Sequence, residues 1–287
     1  MPVSTEPAMR TPELFAFVRE RHQTYLRRRA GLPKPWTRDP ILQRWRFTNV
    51  YRELDRVTRW VAGEWREPHR DDPDLWFAMA VARLVNWPDT LAEVGYPVPW
   101  DPGRFVDVLE DRARRGQKVY TGAYMIHADR HFGGSKAAYL ASEVFDPLWR
   151  DRAGLGRRLR GTLAQAHAAL MEYRDMGSFM AAQVVADLKY VEPLRAAPDW
   201  WTWAASGPGS RRGLNRVLGR RKDAPWDEPQ WLRRLQALHR AVEPLVAAAK
   251  MPRLHAQDLQ NCLCEFEKLE RVRLGEGTPR ARYPGLP

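Results

Sequence analysis

The sequence has few cysteines, no long apolar run and no useful stretch of alternating apolar and polar residues. The two cysteines, Cys262 and Cys264, lie two positions apart, which excludes a disulfide framework and supplies too few thiols for a structural zinc site. No secretory signal pattern and no run of about 20 apolar residues is present, so we expect a cytoplasmic protein without a membrane span. Without strand-like alternation, the expected fold class is all-α.

Acidic residues are fewer than basic ones. The 287 residues include 47 Lys and Arg against 35 Asp and Glu, a formal net charge of +12. Such an excess favours a polyanionic partner, and nucleic acid is the commonest one. A generally Arg-rich proteome would give the same balance, so composition leaves both readings open.

Helical periodicity runs along most of the chain. It predicts a basic amphipathic helix from Glu13 to Arg29 and further helices near 48–66, 73–86, 103–115, 135–150, 155–173, 178–190, 228–249 and 255–273. Residues 1–12 are expected to fray, and 191–228, rich in Trp, Pro and Gly, is expected to be irregular.

Two of these helices carry a polar stripe opposite an apolar one. Over 47–61 the polar stripe contains Arg52, Asp55 and Arg56, and Asn49 is a candidate N-cap that would direct free backbone N–H groups outward. Over 254–271 the polar stripe contains Asn261, Cys264, Glu265 and Lys268. Each stripe fits a solvated face that contains an ion pair. The alternative is a functional site: an anion site over 47–61 and a catalytic site over 254–271.

The segment DMGSFMAAQVVADLKY (175–190) places a carboxylate in a largely apolar helix. Gln183, Asp187 and Tyr190 project from the same side as Phe179. A carboxylate is rarely fully buried unless something pairs with it. Asp187 is therefore expected either to pair or cap, or to line a site.

The segment GPGSRRGLNRVLGRRK (207–222) is rich in glycine and arginine and contains no acidic residue. Gly207 and Gly209 would let the backbone approach a ligand, and Arg211, Arg212 and Arg216 suit phosphate oxygens. The spacing is not that of a P-loop. We predict a loop that contacts phosphate or the DNA backbone.

Five segments occur in an order that resembles a known family. They are RFTNVYRELDRVT (46–58), GAYMIHADRHFGGSKAAYL (122–140), DMGSFMAAQVVADLKY (175–190), GPGSRRGLNRVLG (207–219) and LQNCLCEFEKLERVRLGEGTPRARYPG (259–285). Together they resemble the helical DNA-glycosylase-like family of phage thymine hypermodification. That family includes the alpha-glutamyl/putrescinyl thymine pyrophosphorylases, also described as amino acid:DNA transferases, and the helical part of the hydroxymethyluracil DNA kinases is its kin.

The resemblance implies a helix-hairpin-helix DNA-glycosylase-like fold. It implies an N-terminal basic helical extension over 1–39 and a catalytic domain over 40–287. EYRDMGSFMAAQ (172–183) would be the hairpin, with Gly177 as the one glycine left of the LPGxG pattern. Asp187 follows directly in the second helix, earlier than the aspartate of glycosylases, which argues against glycosidic cleavage.

The resemblance also implies a reaction. An amine, either an amino acid such as glycine or a polyamine, would displace pyrophosphate from a pyrophosphorylated hydroxymethyluracil in double-stranded DNA. The target base would have to leave the stack. No bound cofactor is implied, and Mg²⁺ accompanying the leaving pyrophosphate stays open.

This reaction assigns roles to the candidate residues. Asp187 or Glu265 would be the general base, and Cys264 would be the thiol in an alternative adduct route. Lys268 or Lys189 would bind an amino-acid carboxylate, and Gln183 and Tyr190 would contact the base. The candidate binding residues for substrate and pyrophosphate also include Arg46, Asn49, Arg52, Asp55, Arg56, Arg211 and Arg212. We expect Asn49, Asp187 and Glu265 to converge on one cleft.

Three other functions remain open. The sequence contains no GxxxxGK[ST] spacing, which favours the transferase, but a kinase component that depends on a partner for ATP is an alternative. A DNA glycosylase and a non-catalytic DNA-binding module are the others.

Overall fold

The computed structural model describes residues 9–122, 131–279 and 281–282. The chain divides into two compact units: residues up to Asp55 together with those from Trp201 onward, and Arg56–Trp200. The predicted division into a 1–39 extension and a 40–287 domain stays a prediction. Residues 1–8 of the predicted extension, and the parts of the motifs that fall at 123–130, 280 and 283–285, lie outside the described residues.

The described residues contain α-helices and no strand, apart from a single antiparallel bridge between Trp45 and Arg282, so the expected all-α class is confirmed. The helices are α1 (Thr11–Arg29), α2 (Pro40–Arg44), α3 (Arg56–Val61), α4 (Leu75–Val85), α5 (Pro88–Val94), α6 (Pro102–Arg114), α7 (Lys136–Tyr139), α8 (Asp146–Arg150), α9 (Arg152–Arg158), α10 (Leu163–Met171), α11 (Ser178–Leu188), α12 (Pro208–Val217), α13 (Glu228–Ala248) and α14 (Ala256–Arg273). A 3₁₀ turn spans Arg52–Leu54, and π-helical turns span Ala62–Arg66 and Leu140–Phe145.

The core of the first unit lies where α1, α12, α13 and α14 pack together. Leu14 of α1, Trp231 of α13 and Leu259 of α14 are fully buried within one apolar cluster. The predicted helices at 13–29, 228–249 and 255–273 are confirmed, because each carries the apolar stripe that this core requires.

The glycine-rich segment at 207–222 was wrongly predicted to be a loop, because most of it forms α12. Pro208 stands at the first turn of the helix, where its missing N–H costs no hydrogen bond. Gly213 packs directly on the backbone of α14, since a Cβ added there would lie 2.1 Å from the carbonyl oxygen of Leu263. A Cβ added to Gly209, one turn earlier, would lie 3.3 Å from the sulfur atom of Cys264. These two glycines allow α12 to pack closely on α14. The predicted contact of Gly207 and Gly209 with a ligand stays a prediction.

The predicted helix at 48–66 is wrong in its first half. The Asn49 side chain donates to the carbonyl oxygen of Leu54 at 3.1 Å and to Asp55 Oδ1 at 2.9 Å, and the backbone N–H of Asn49 also donates to Asp55. These local bonds replace the helical ladder, and the α-helix begins only at Arg56. Asn49 is therefore not a helix N-cap.

The second unit is built around α4, every residue of which is buried. Helix α4 packs against α11, and α10 and α11 form a helical hairpin. A cluster of aromatic rings fills the adjoining core, with Phe77, Trp100, Phe105 and Phe145 making ring contacts between 5.3 and 6.0 Å.

The predicted helix at 155–173 is interrupted in this unit. Gly161 adopts a φ of +84°, and Thr162 caps α10 by accepting a hydrogen bond from the backbone N–H of Gln165. Two short helices, α9 and α10, therefore replace the single long one.

We predict that Gly213→Ala destabilises the protein by about 1–3 kcal/mol, because the added methyl group forces α12 away from α14. The free energy of unfolding in urea measures the effect. Gly63→Ala is the control: its Cβ would meet nothing within 4 Å, so its stability is expected to stay near that of the parent protein. Equal stability of the two variants would contradict this packing.

Candidate functional site

A polar stripe on α14 holds the segment 48–52 in the first unit. The Asn261 amide donates to the backbone oxygen of Asn49 at 3.1 Å. Asp258 accepts from the backbone N–H of Arg52 at 3.1 Å, and Glu265 accepts from the backbone N–H of Thr48 at 3.2 Å. The three α14 side chains lie about one turn apart, and each satisfies one backbone group of a segment that has no regular structure.

Glu265 is the carboxylate on this stripe with a free oxygen. Its Oε2 accepts from the Thr48 N–H and from Lys268 Nζ, the latter at 2.8 Å. Among the described residues, Oε1 has no hydrogen-bond partner. The side chain is 10% exposed and Lys268 is 21% exposed, so the pair borders solvent. The carboxylate is thus held through one oxygen, and its other oxygen forms no hydrogen bond with the described residues.

Asp55 lies within the same unit and is mostly enclosed. Burial raises the pKa of this carboxyl, while the hydrogen bonds from Asn49 and the charges of Arg52 and Arg21 oppose the rise. Asn49 and Asp55 thus fix the shape of the loop, and their predicted substrate-binding role stays a prediction.

Cys264 is half-buried and packs against Gly209 of α12. Burial, with a contribution from the neighbouring Glu265 charge, raises the pKa of the Cys264 thiol to about 12. The thiol is therefore neutral at physiological pH and is a poor nucleophile there.

The arginines of α12 are paired with acids. Arg211 contacts Glu228 at 2.9 Å, and Arg216 contacts Glu276 at 2.6 Å. Arg212 lies 3.8 Å from Glu267 and its side chain is 38% exposed. The sequence segment has no acid of its own, but other parts of the fold supply the acids, so the positive charge expected there is largely balanced.

Asp187 lies in the second unit and is fully buried in an ion pair with Arg83 of α4. Arg83 Nε donates to Asp187 Oδ2 at 2.5 Å, and Nη2 donates to Oδ1 at 2.6 Å. Arg83 also donates to Thr58 and Asn86, each at 3.3 Å. Both carboxylate oxygens are occupied, so the geometry gives Asp187 a structural role, and its role as general base stays a prediction.

Arg83 was missed by the sequence reasoning, although a signal existed. LWFAMAVARLV (75–85) contains one charged residue among apolar ones, as does the helix that carries Asp187. Two lone, opposite charges in two buried helices predict a pair, since neither is stable alone in an apolar core.

Lys189 and Tyr190 follow the end of α11 and pack among aromatic and basic side chains. Lys189 is fully buried, with Nζ 3.8 Å from the centre of the Trp200 ring. The Trp200 indole donates to the backbone oxygen of Lys189 at 2.6 Å, and Arg66 lies over the Tyr190 ring at 4.6 Å. These contacts are those of a packed cation–π cluster.

Three further candidates form no hydrogen bond with the α14 stripe described above. Arg46 is exposed, and its backbone N–H bonds to Ala281. Arg56 is exposed over the Trp87 ring of the second unit, and Gln183 is half-buried on α11. In the first unit, Asn49 bonds to Asp55, and Glu265 bonds to Lys268. Asp187, Gln183, Lys189 and Tyr190 belong to the second unit.

Among the residues described, no group of three or more His, Cys, Asp or Glu side chains is arranged to hold a metal ion. Within the same residues, no helix is long and apolar enough to cross a bilayer.

We predict that Asp187→Asn destabilises the protein by about 3–5 kcal/mol, because it leaves the Arg83 guanidinium buried without its charge partner. The double variant Arg83→Met/Asp187→Leu removes both charges and is expected to recover much of the loss. Chemical denaturation of the three proteins measures this. An Asp187→Asn protein as stable as the parent would refute the structural reading.

We predict that Cys264 reacts slowly with a thiol reagent at pH 8 in the native protein. Its raised pKa keeps the reactive thiolate scarce until the pH approaches 12, and the reaction should accelerate as the pH rises. A Cys262→Ser variant isolates this thiol, and urea-unfolded protein gives the rate of the unprotected group. Equal rates in native and unfolded protein would show that the thiol is accessible and ionised.

The comparisons with known proteins agree with this helical architecture. The family model described as 5-hmdU DNA kinase, helical domain, matches residues 9–278. A curated protein named 5-hmdU DNA kinase, from Bacillus phage SP10, is 28% identical over 211 residues, which cover 66% of this chain and 33% of the phage protein. The chain thus corresponds to about a third of the length of that relative. No solved structure matches the chain.

Proposed function

The chain belongs to the family of 5-hmdU DNA kinase helical domains, and on that premise we propose that it is an enzyme of hydroxymethyluracil modification in DNA, with an amine transferase activity. Its substrate is double-stranded DNA that carries a pyrophosphorylated hydroxymethyluracil. The carbon–oxygen bond to pyrophosphate breaks, pyrophosphate leaves with the electron pair, and a carbon–nitrogen bond forms to an amino acid or polyamine.

The observation that carries the proposal is the geometry of Glu265. One carboxylate oxygen is fixed by Thr48 and Lys268, while Oε1 has no partner among the described residues. A carboxylate held in this way takes the proton that the attacking amine must lose. Lys268, which donates a hydrogen bond to Glu265, provides a cation for the carboxylate of an amino-acid substrate.

Direct displacement is the favoured route. The thiol-adduct route needs a Cys264 thiolate, and a pKa of about 12 makes that species scarce. The negative charge of the leaving pyrophosphate needs cations. The candidates in the first unit are Arg52, whose backbone is bound by Asp258 of α14, and Arg46, two residues before Thr48. Mg²⁺ is a further candidate.

The fold proposed with this function is that of the helix-hairpin-helix glycosylases. The packed pair α10 and α11 supports it, with Gly177 as the N-cap of the second helix. Gly177 has a φ of −59°, a value that any residue adopts, so this turn does not depend on glycine as a left-handed turn would.

A kinase component is the second candidate, because the phage relative is named a 5-hmdU DNA kinase. The residues of this chain contain no GxxxxGK[ST] with which to bind ATP. Incubating hydroxymethyluracil DNA with the chain and ATP, and separately pyrophosphorylated DNA with the chain and a panel of amines, distinguishes the two by mass spectrometry of the nucleosides.

We predict that Glu265→Gln lowers the rate of amine transfer by about a hundredfold or more, the usual effect of losing a general base. DNA affinity should change little, since the amide keeps the shape of the side chain. Glu243→Gln is the matched control, because Glu243 pairs with Arg253 and has no place in the proposed mechanism. Full transfer activity in a folded Glu265→Gln protein would remove Glu265 from the mechanism.

A further inference from the structure

Two adjoining cavities form a groove between α1 and the segment 34–49 of the first unit. Both are lined by Thr24 and Leu42, so they lie side by side. The larger one, beside Lys34 and Trp36, has a volume of about 290 Å³. That is close to the lower end of small-molecule sites, which span roughly 300–1,000 Å³. The smaller one, of about 10 Å³, lies at Arg21 and has room for about one water-sized atom.

Arg21 is a buried cation with unused hydrogen-bond donors. It is 4% exposed, and its Nη2 donates to the backbone oxygen of Asn49 at 2.9 Å. Its Nε and Nη1 are buried and have no oxygen or nitrogen acceptor among the described residues, and the Cys262 thiol is the weak acceptor beside them. Burial raises the pKa of the nearby Cys262 thiol to about 11, so this thiol is neutral and does not balance the charge. A buried guanidinium with two unsatisfied nitrogens is costly unless a ligand completes it.

A second arginine lies on the same face of α1. Arg21, Thr24 and Arg28 are spaced i, i+3 and i+7, which places them on one stripe of the helix. Arg28 lines the smaller cavity and is exposed, with its guanidinium over the Tyr25 ring at 5.9 Å. Within the described part of the chain, Arg28 has no carboxylate partner.

No carboxylate lines the groove, and Asp55, an acid on which the charge of Arg21 acts, lies outside both cavities. None of the residues that line the two cavities is Asp or Glu, while Arg21, Arg28 and Lys34 are cationic. The Trp36 ring forms part of the larger cavity, with Lys34 Nζ 5.3 Å from its centre. This contrasts with α12, where Arg211 and Arg216 are paired with carboxylates.

We propose that this groove is a binding site for a phosphoryl group, in which an oxygen contacts the free nitrogens of Arg21 and a second oxygen contacts Arg28. The planar guanidinium of an arginine matches phosphate oxygens, which can accept two hydrogen bonds at once. The larger cavity beside Trp36 holds the remainder of the ligand. The proposal rests on the proposed function for the source of the phosphoryl group, which is either the DNA backbone or free pyrophosphate.

Binding measurements on the full chain test this site without requiring catalysis. Inorganic pyrophosphate is titrated by calorimetry, and an unmodified DNA duplex is titrated by fluorescence anisotropy. The variants are Arg28→Ala and Arg21→Lys, the second of which keeps the charge but loses the fork of donors. Arg233→Ala is the matched control, an exposed arginine of α13 that lines neither cavity and has no carboxylate partner among the described residues.

We expect Arg28→Ala and Arg21→Lys to weaken the binding of at least one probe by about tenfold or more, the scale of a charge-assisted hydrogen bond, and Arg233→Ala to change it less than about twofold. Weakened pyrophosphate binding identifies a free phosphoryl ligand, and weakened DNA binding alone identifies the strand. If Arg21→Lys fails to fold by circular dichroism, Arg28→Ala decides the matter.

The proposal is overturned if the parent protein binds neither probe, or if Arg28→Ala behaves like Arg233→Ala with both. Failure of amine transfer, with the expected pattern of binding, would remove the proposed transferase activity and leave the phosphoryl site in place.

Discussion

In the first unit, the arrangement of the candidate site depends on the hydrogen bonds between α14 side chains and the backbone of residues 48–52. Residues 48–51 run along α14 without forming a helix, so their backbone groups need partners outside the segment. Asp258, Asn261 and Glu265 supply partners from one stripe of α14. The same bonds orient Glu265 and leave one of its oxygens available, which is why a structural arrangement also produces a candidate reactive group.

Ion pairing decides how the large positive charge of the chain is distributed. Arg211 and Arg216 form a basic run in sequence, yet Glu228 and Glu276 lie against them in the fold. Arg21 of α1 is buried and bonds to the backbone oxygen of Asn49, and two of its nitrogens have no oxygen or nitrogen partner among the described residues. A cluster of arginines in the sequence therefore does not by itself show where the folded protein can bind an anion.

The second unit contains the opposite arrangement, a fully paired charge in an apolar setting. Arg83 and Asp187 join α4 to α11 through two short hydrogen bonds. Desolvation offsets much of the attraction in such a pair, so its main consequence is that neither partner can be lost alone. The match to the 5-hmdU DNA kinase helical domain spans residues 9–278, which include residues of both units.

The sequence by itself determined the all-α class and the long amphipathic helices α1, α13 and α14, because apolar periodicity is a local property. It did not determine α12, since glycines that resemble a loop become a packing surface only when α14 lies against them. It also did not show that Asp187 pairs with Arg83, 104 residues away. Only the tertiary structure decided which charges meet, because burial and pairing depend on contacts between segments that are distant in the chain.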